Sequence, residues 1–288
     1  MSSEFFFLFA GLGLFGSAVG GYYDLKTSEI PDEVPLSISI IGLLLYFIDF
    51  LFYGNAFPFI SIMTICGFFL ITGYILFWLS QWGEADVLIL GALGVLLPYL
   101  FSVQNNFADA FFFANVFLIA SFAVGGIYSI VFSIAVMFRD KKVKDFAGYI
   151  LKEKKQVRVI VLIIIAGVSL YIYARAVELY FIKILAIEFL IFVPMFYFLI
   201  KFAKFIDEFV YRKKIKTSDL VEGDVIAQEI DKLNIKGTRY EGIMDEDIKK
   251  IQKVLKYVYV KDGVRYAPVF FFTILFFMLF WNKLAVFI

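Results

Sequence analysis

The sequence predicts an all-α polytopic membrane protein with about eight transmembrane helices and a small cytoplasmic α+β insertion. Two observations carry this. Apolar residues fill 62% of the 288 positions and mean hydropathy is +0.86. A soluble domain cannot hide that much apolar surface, whereas a bilayer accepts it. The charges are also clustered, leaving apolar stretches of the roughly 20 residues that a spanning helix needs.

The expected spans are 5–23, 35–53, 57–80, 86–103, 110–138, 157–174, 179–202 and 267–287. The first follows Met-Ser-Ser-Glu with no basic segment ahead of it, so it reads as a retained helix and not a cleaved signal. The fifth is long enough to tilt or to extend beyond the bilayer. Only residues 174–178 separate the sixth from the seventh. Orientation follows the lysines and arginines. With the N-terminus outside, Lys26, eight basic residues from Arg139 to Arg158 and fifteen from Lys201 to Arg265 face the cytoplasm, 24 of the 27 in all. Arg175, Lys183 and Lys283 fall outside. Both termini are therefore expected outside.

Three domains result: a transmembrane core over 1–202, a cytoplasmic module over 203–266 and a last helix over 267–288. In the module, acids at Asp245, Glu246 and Asp247 precede Ile248, Ile251, Val254 and Leu255 at helical spacing, the pattern of a helix start. Residues 257–260 read as a strand and Asp262-Gly263 as a turn. The basic run 212–216 reads as positive-inside signal or lipid contact, not nucleic-acid binding. Pro98 and Pro194 read as kinks, and Trp78, Trp82 and Trp281 as interfacial anchors.

The absence of histidine excludes Ser-His-Asp and Cys-His catalysis and His-ligated metals. The single cysteine, Cys66, lies in an apolar run and reads as packing. No metal or organic cofactor is expected. Chemistry must then come from other groups, and ionisable residues at membrane depth are costly enough to be candidates by default. Asp24 and Asp86 stand at the same, cytoplasmic, end of the first and fourth spans. Two facing carboxyls there could share a proton, one activating water and the other acting as acid toward a carbonyl. Gly83 would let another backbone approach beside Asp86. The plain alternative makes Asp86 an N-cap and Asp24 a solvated loop residue. The loops 24–34 and 81–86 also carry Asp24, Glu29, Asp32, Glu33, Glu84 and Asp86 against Lys26 alone, an acidic patch suited to a basic peptide.

These stretches resemble the type IV prepilin peptidase and preflagellin (prearchaellin) peptidase family, membrane aspartic proteases with a GxGD motif. Asp24 followed by Lys26 and Ile30-Pro31 matches the family's first aspartate segment, and Gly83-Glu84-Ala85-Asp86 its second. Ala85 stands at the second glycine, and Leu88 where many members have lysine. The resemblance covers roughly residues 1–135, with looser likeness at Leu220–Asp224 and Asp262–Arg265. It implies an aspartic endopeptidase with Asp24 and Asp86 catalytic. The substrates would be precursors with a short basic leader, cut at the cytoplasmic face before a hydrophobic segment. Glu29, Asp32, Glu33 and Glu84 would meet the leader, and Gly83 would line the substrate path. Bacterial members carry a cysteine cluster and a methyltransferase activity; one membrane cysteine supports neither and points to an archaeal source. Presenilin-like proteases fit less well, since their aspartates lie on adjacent later helices and a Pro-Ala-Leu element follows. A proton- or cation-coupled transporter using the acidic pair, with Asp49, Asp109, Glu178 and Glu188 as a relay, is the main alternative, and a scaffold role the next. Membrane lipids are the other expected partners, and nucleic acid is not one.

Overall fold

A computed structural model describes residues 3–79, 81–152, 154–177, 180–230 and 242–284. The chain divides into two compact units, Met1–Val131 with Val264–Ile288, and Phe132–Gly263. Four described helices are long and apolar enough to cross a membrane: Phe5–Thr27, Glu33–Tyr53, Phe59–Trp78 and Phe107–Arg139. The protein is a helical membrane protein. The count of eight goes beyond those four; Val161–Ala176 and Pro268–Phe280 are shorter apolar helices.

The first unit holds α1 (Ser3–Thr27), α2 (Glu33–Tyr53), α3 (Phe59–Trp78), α4 (Glu84–Leu100), the start of α5 (Phe107–Arg139) and α10 (Pro268–Leu284). α4 is its centre. Every residue from Asp86 to Leu100 except Leu88 is buried. Apolar side chains gain little by leaving lipid, so close backbone packing at small residues does much of the joining. α1 supplies those residues as a stripe of Gly13, Ser17, Gly20 and Asp24 at helical spacing. A Cβ on Gly13 would lie 3.5 Å from Leu96 Cδ1, and one on Gly20 only 2.6 Å from Ile89 Cδ1. Seven residues forward on α1 thus match seven backward on α4, so the two helices run antiparallel in close register. α3 packs on another face of α4, where Gly73 meets Val87 and Gly94 meets Cys66. Cys66 is a packing residue, as expected. At the far end Phe9 stacks on Tyr99 at 4.3 Å, and the Tyr99 N–H donates to the Tyr46 hydroxyl at 3.1 Å.

The second unit contains the end of α5, then α6 (Val143–Lys152), α7 (Lys154–Ala176), α8 (Tyr180–Phe205) and a small α/β module. β1 (Arg212–Lys216), β2 (Val225–Ile226) and β3 (Tyr257–Lys261) form an antiparallel sheet in the order β1-β3-β2. α9 (Asp245–Val254) completes it, with Ile226, Ile243, Ile251 and Val258 in the core. The expected helix and strand at 245–255 and 257–260 are present. The basic run 212–216 forms an edge strand paired along its length with β3. Lysine on an edge strand discourages pairing with a second sheet.

Candidate active site

Asp24 is not a loop residue. α1 continues to Thr27, so Asp24 lies in its last turn, and only 8% of it is exposed. Asp86 is equally withdrawn at 9%. It is the third residue of α4 and not its N-cap; Gly83 holds the cap position. Because glycine has no side chain to cap with, the Asp86 carboxylate bends back instead. Its Oδ2 accepts the Gly83 N–H at 3.1 Å.

The register set by Gly13–Leu96 and Gly20–Ile89 carries one turn further to these two acids. Four residues beyond Gly20 is Asp24, and three before Ile89 is Asp86. Each helix therefore brings its aspartate to the same level and the same face. The two carboxyls are close enough for the charge of Asp24 to act on Asp86.

A third helix completes the site. Asp24 Oδ2 accepts the backbone N–H of Ala267 at 2.9 Å, at the head of α10. Backbone contact makes this possible. A Cβ on Gly21 would stand 3.1 Å from Pro268 Cα, so only glycine lets α10 seat this closely on α1. Pro268 suits the first helical position, where no intrahelical N–H bond is lost. Each aspartate is thus held by one oxygen on a backbone amide at a helix N-terminus. Among the described residues, neither Oδ1 has a hydrogen-bond partner. The half-buried Arg265 places positive charge near Asp24.

Beside Asp86 lies Tyr266, wedged so tightly against α5 that a Cβ on Gly125 would clash with its hydroxyl. The Tyr266 hydroxyl donates to the Ser121 carbonyl at 3.3 Å, and its ring packs on that of Trp82 at 5.3 Å. Burial first, and the Asp86 charge second, push the phenol up to about 12. Trp82 therefore corrects the expectation of an interfacial anchor. It is 7% exposed and packs against Tyr266, Phe122 and Phe270. Trp78, at 77%, keeps the exposure an anchor needs. The Trp281 side chain lies outside the described residues.

Glu29, Asp32, Glu33 and Glu84 are all exposed, beside the C-terminal end of α1 and at the N-terminal ends of α2 and α4. Glu33 stands with Tyr23 and Pro31 on an apolar groove of about 370 Å³ between α1 and α2. Gly83 is exposed and extended, at φ −77°, a conformation open to any residue. A Cβ there would lie in ordinary contact with the acid, 3.5 Å from Asp86 Oδ2. Among the described residues no cluster of His, Cys, Asp or Glu could hold a metal.

The acids considered for a transport relay lie elsewhere. Asp49, near the other end of α2, receives both its bonds from Asn55, and Asp109 pairs with Asn106 at the start of α5. Glu178 and the side chain of Glu188 lie outside the described residues.

Over 147 residues the chain is 32% identical to the preflagellin peptidase of Methanococcus voltae. The match covers 47% of this chain and 62% of that protein, so the chain spans about three-fifths of the curated relative's length. No family model matches the chain, and no solved structure does.

The residues that sequence reasoning missed are Ala267, Arg265, Tyr266 and Trp82. Ala267 acts through its backbone, which leaves no side-chain signature. The paired Gly20-Gly21 just before Asp24 was the available signal, since adjacent glycines in an apolar helix mark two faces of close approach.

Proposed function

We propose that this chain is a membrane-embedded aspartic endopeptidase that removes short basic leaders from prepilin- or prearchaellin-like precursors. Asp24 and Asp86 are the catalytic pair, and the site faces the cytoplasm. One observation carries the reading: two buried aspartates from antiparallel helices meet at one level, each anchored by one oxygen with the other left over. The likeness to a preflagellin peptidase agrees with it, as does the basic-residue asymmetry.

In this mechanism one carboxylate takes a proton from a water as its oxygen attacks the scissile carbonyl carbon. The other carboxyl gives its proton to the carbonyl oxygen. The resulting tetrahedral diol collapses as a proton passes to the leaving amide nitrogen, releasing leader and mature chain. Such a pair titrates jointly, so neither aspartate alone is the base. The exposed acids Glu29, Asp32, Glu33 and Glu84 attract the leader's lysine or arginine, and Gly83 leaves room beside Asp86 for the substrate strand.

Individual Asp24→Asn and Asp86→Asn variants test the pair in membranes containing a basic-leader precursor. Each should lose about a thousandfold or more in cleavage while reaching normal membrane levels. Full cleavage by either variant removes the dyad. Charge reversal at Glu29 and Glu84 should raise KM for a basic leader and leave kcat near its starting value; an unchanged KM counts against the acidic patch.

A further inference from the structure

In the second unit, α6 turns one face onto α8 and the other onto a charged cleft. Phe146 packs against Phe198, Phe202 and Phe205, and one turn later Tyr149 packs against Phe205 and Phe209. The cleft beside them is about 590 Å³. Among the described residues, Lys142, Lys144 and Lys152 line it with one acid, Asp145. The Lys142 ammonium is bonded to the Phe209 carbonyl, which ties the cleft's rim to the turn that follows α8 and leaves Lys144 and Lys152 exposed. Beneath, the buried Lys201 lies 5.8 Å from the Tyr149 ring centre.

We propose that this cleft seats the phosphate headgroup of an acidic membrane phospholipid. Lys144 and Lys152 contact the phosphate, and the acyl chains pass over Phe209. The excess of positive charge selects an anionic group. The choice of lipid over a soluble phosphoester rests on Phe209, a phenyl ring 42% exposed next to the ammonium groups. A soluble ligand leaves that ring in water, whereas a lipid covers it. Lysines beside an exposed aromatic ring, on an amphipathic helix that follows the apolar α5, match the chemistry of the membrane interface.

The test uses the full-length protein in nanodiscs of phosphatidylcholine with a minor share of phosphatidylglycerol, read by native mass spectrometry. The wild type should retain phosphatidylglycerol in preference to phosphatidylcholine. Lys144→Glu/Lys152→Glu should lower that retention about tenfold or more. Lys249→Glu/Lys253→Glu, with the same change of charge on α9, should keep it. Should the reversal variant not fold, Lys144→Gln/Lys152→Gln decides in the same way. Retention unchanged in the cleft variants, or lost equally in the α9 control, overturns the site. Displacement of the lipid by inorganic phosphate at equal occupancy would reassign it to a soluble ligand and overturn the lipid reading.

Discussion

Gly21→Ala adds one methyl group between α1 and the head of α10. The new Cβ would lie 3.1 Å from Pro268 Cα and 3.3 Å from Pro268 Cγ and N. Carbon atoms rest at about 3.5–4.0 Å, so α10 must withdraw by roughly 0.4 Å or more. The Ala267 N–H to Asp24 bond, now 2.9 Å, then stretches to about 3.3 Å, beyond the ordinary range of about 2.7–3.2 Å. Overpacking costs about 1–3 kcal/mol and the weakened bond adds to it. The gain in helix propensity from glycine to alanine returns only about 1 kcal/mol. The steric term wins. Because a 1 Å misplacement can cost about a hundredfold in rate, a shift of a few tenths should cost about tenfold in precursor cleavage. Gly11→Ala is the control on the same helix, since a Cβ there meets nothing within 4 Å. It should cleave at the wild-type rate. Equal rates for the two variants in a membrane cleavage assay would refute the claim that α10 positions Asp24.

Gly20→Ala, whose Cβ would press on Ile89 Cδ1 at 2.6 Å, should lower cleavage, and Ile89→Ala should restore most of it in the double variant. Failure of that rescue would detach the register from the activity. Gly242→Ala should unfold the α/β module, because Gly242 has φ +72° and its Cβ would fall 2.3 Å from the Gly223 carbonyl oxygen. Limited proteolysis should then cut within 212–262 far faster than in the wild type. The raised Tyr266 phenol stabilises the fold fully below pH ~10, the unperturbed value, and that contribution is lost as pH climbs through about 12. Difference absorbance between wild type and Tyr266→Phe should show phenolate appearing only in that upper range; ordinary titration near 10 would contradict its burial.

What the sequence conveyed, and what it did not, divides along physical lines. Long apolar runs, the acids at 245–247 and the alternating strand at 257–260 are local patterns, and each reads directly. β1 escaped because four of its five residues are Arg or Lys, so no apolar alternation marks it; only its pairing with β3 makes it a strand. Asp24 and Asp86 were visible because a carboxylate at membrane depth is costly wherever it stands. Their surroundings were not, since the Ala267–Asp24 bond joins positions 243 apart in the chain. Trp82 misled for the same reason. A tryptophan at a span's edge looks interfacial until Tyr266 and Phe270, from the other end of the chain, cover it.

The holders of the two acids explain why this site leaves so faint a trace. Backbone amides at the starts of α4 and α10 fix one oxygen of each carboxyl, and they do so regardless of side chain. A helix N-terminus favours negative charge as well as donating N–H groups, so the same contact that orients the carboxyl also makes its burial tolerable. What the chain must supply in exchange is closeness, and closeness is written in glycine: Gly20 for α4 and Gly21 for α10, on neighbouring faces of one helix turn. Asp24 follows on the next turn, where both approaches converge. A pair of acids positioned by side-chain partners would need those partners in the sequence. Here the requirement falls on the absence of side chains, at two consecutive positions, beside an aspartate that would otherwise stand alone in an apolar helix.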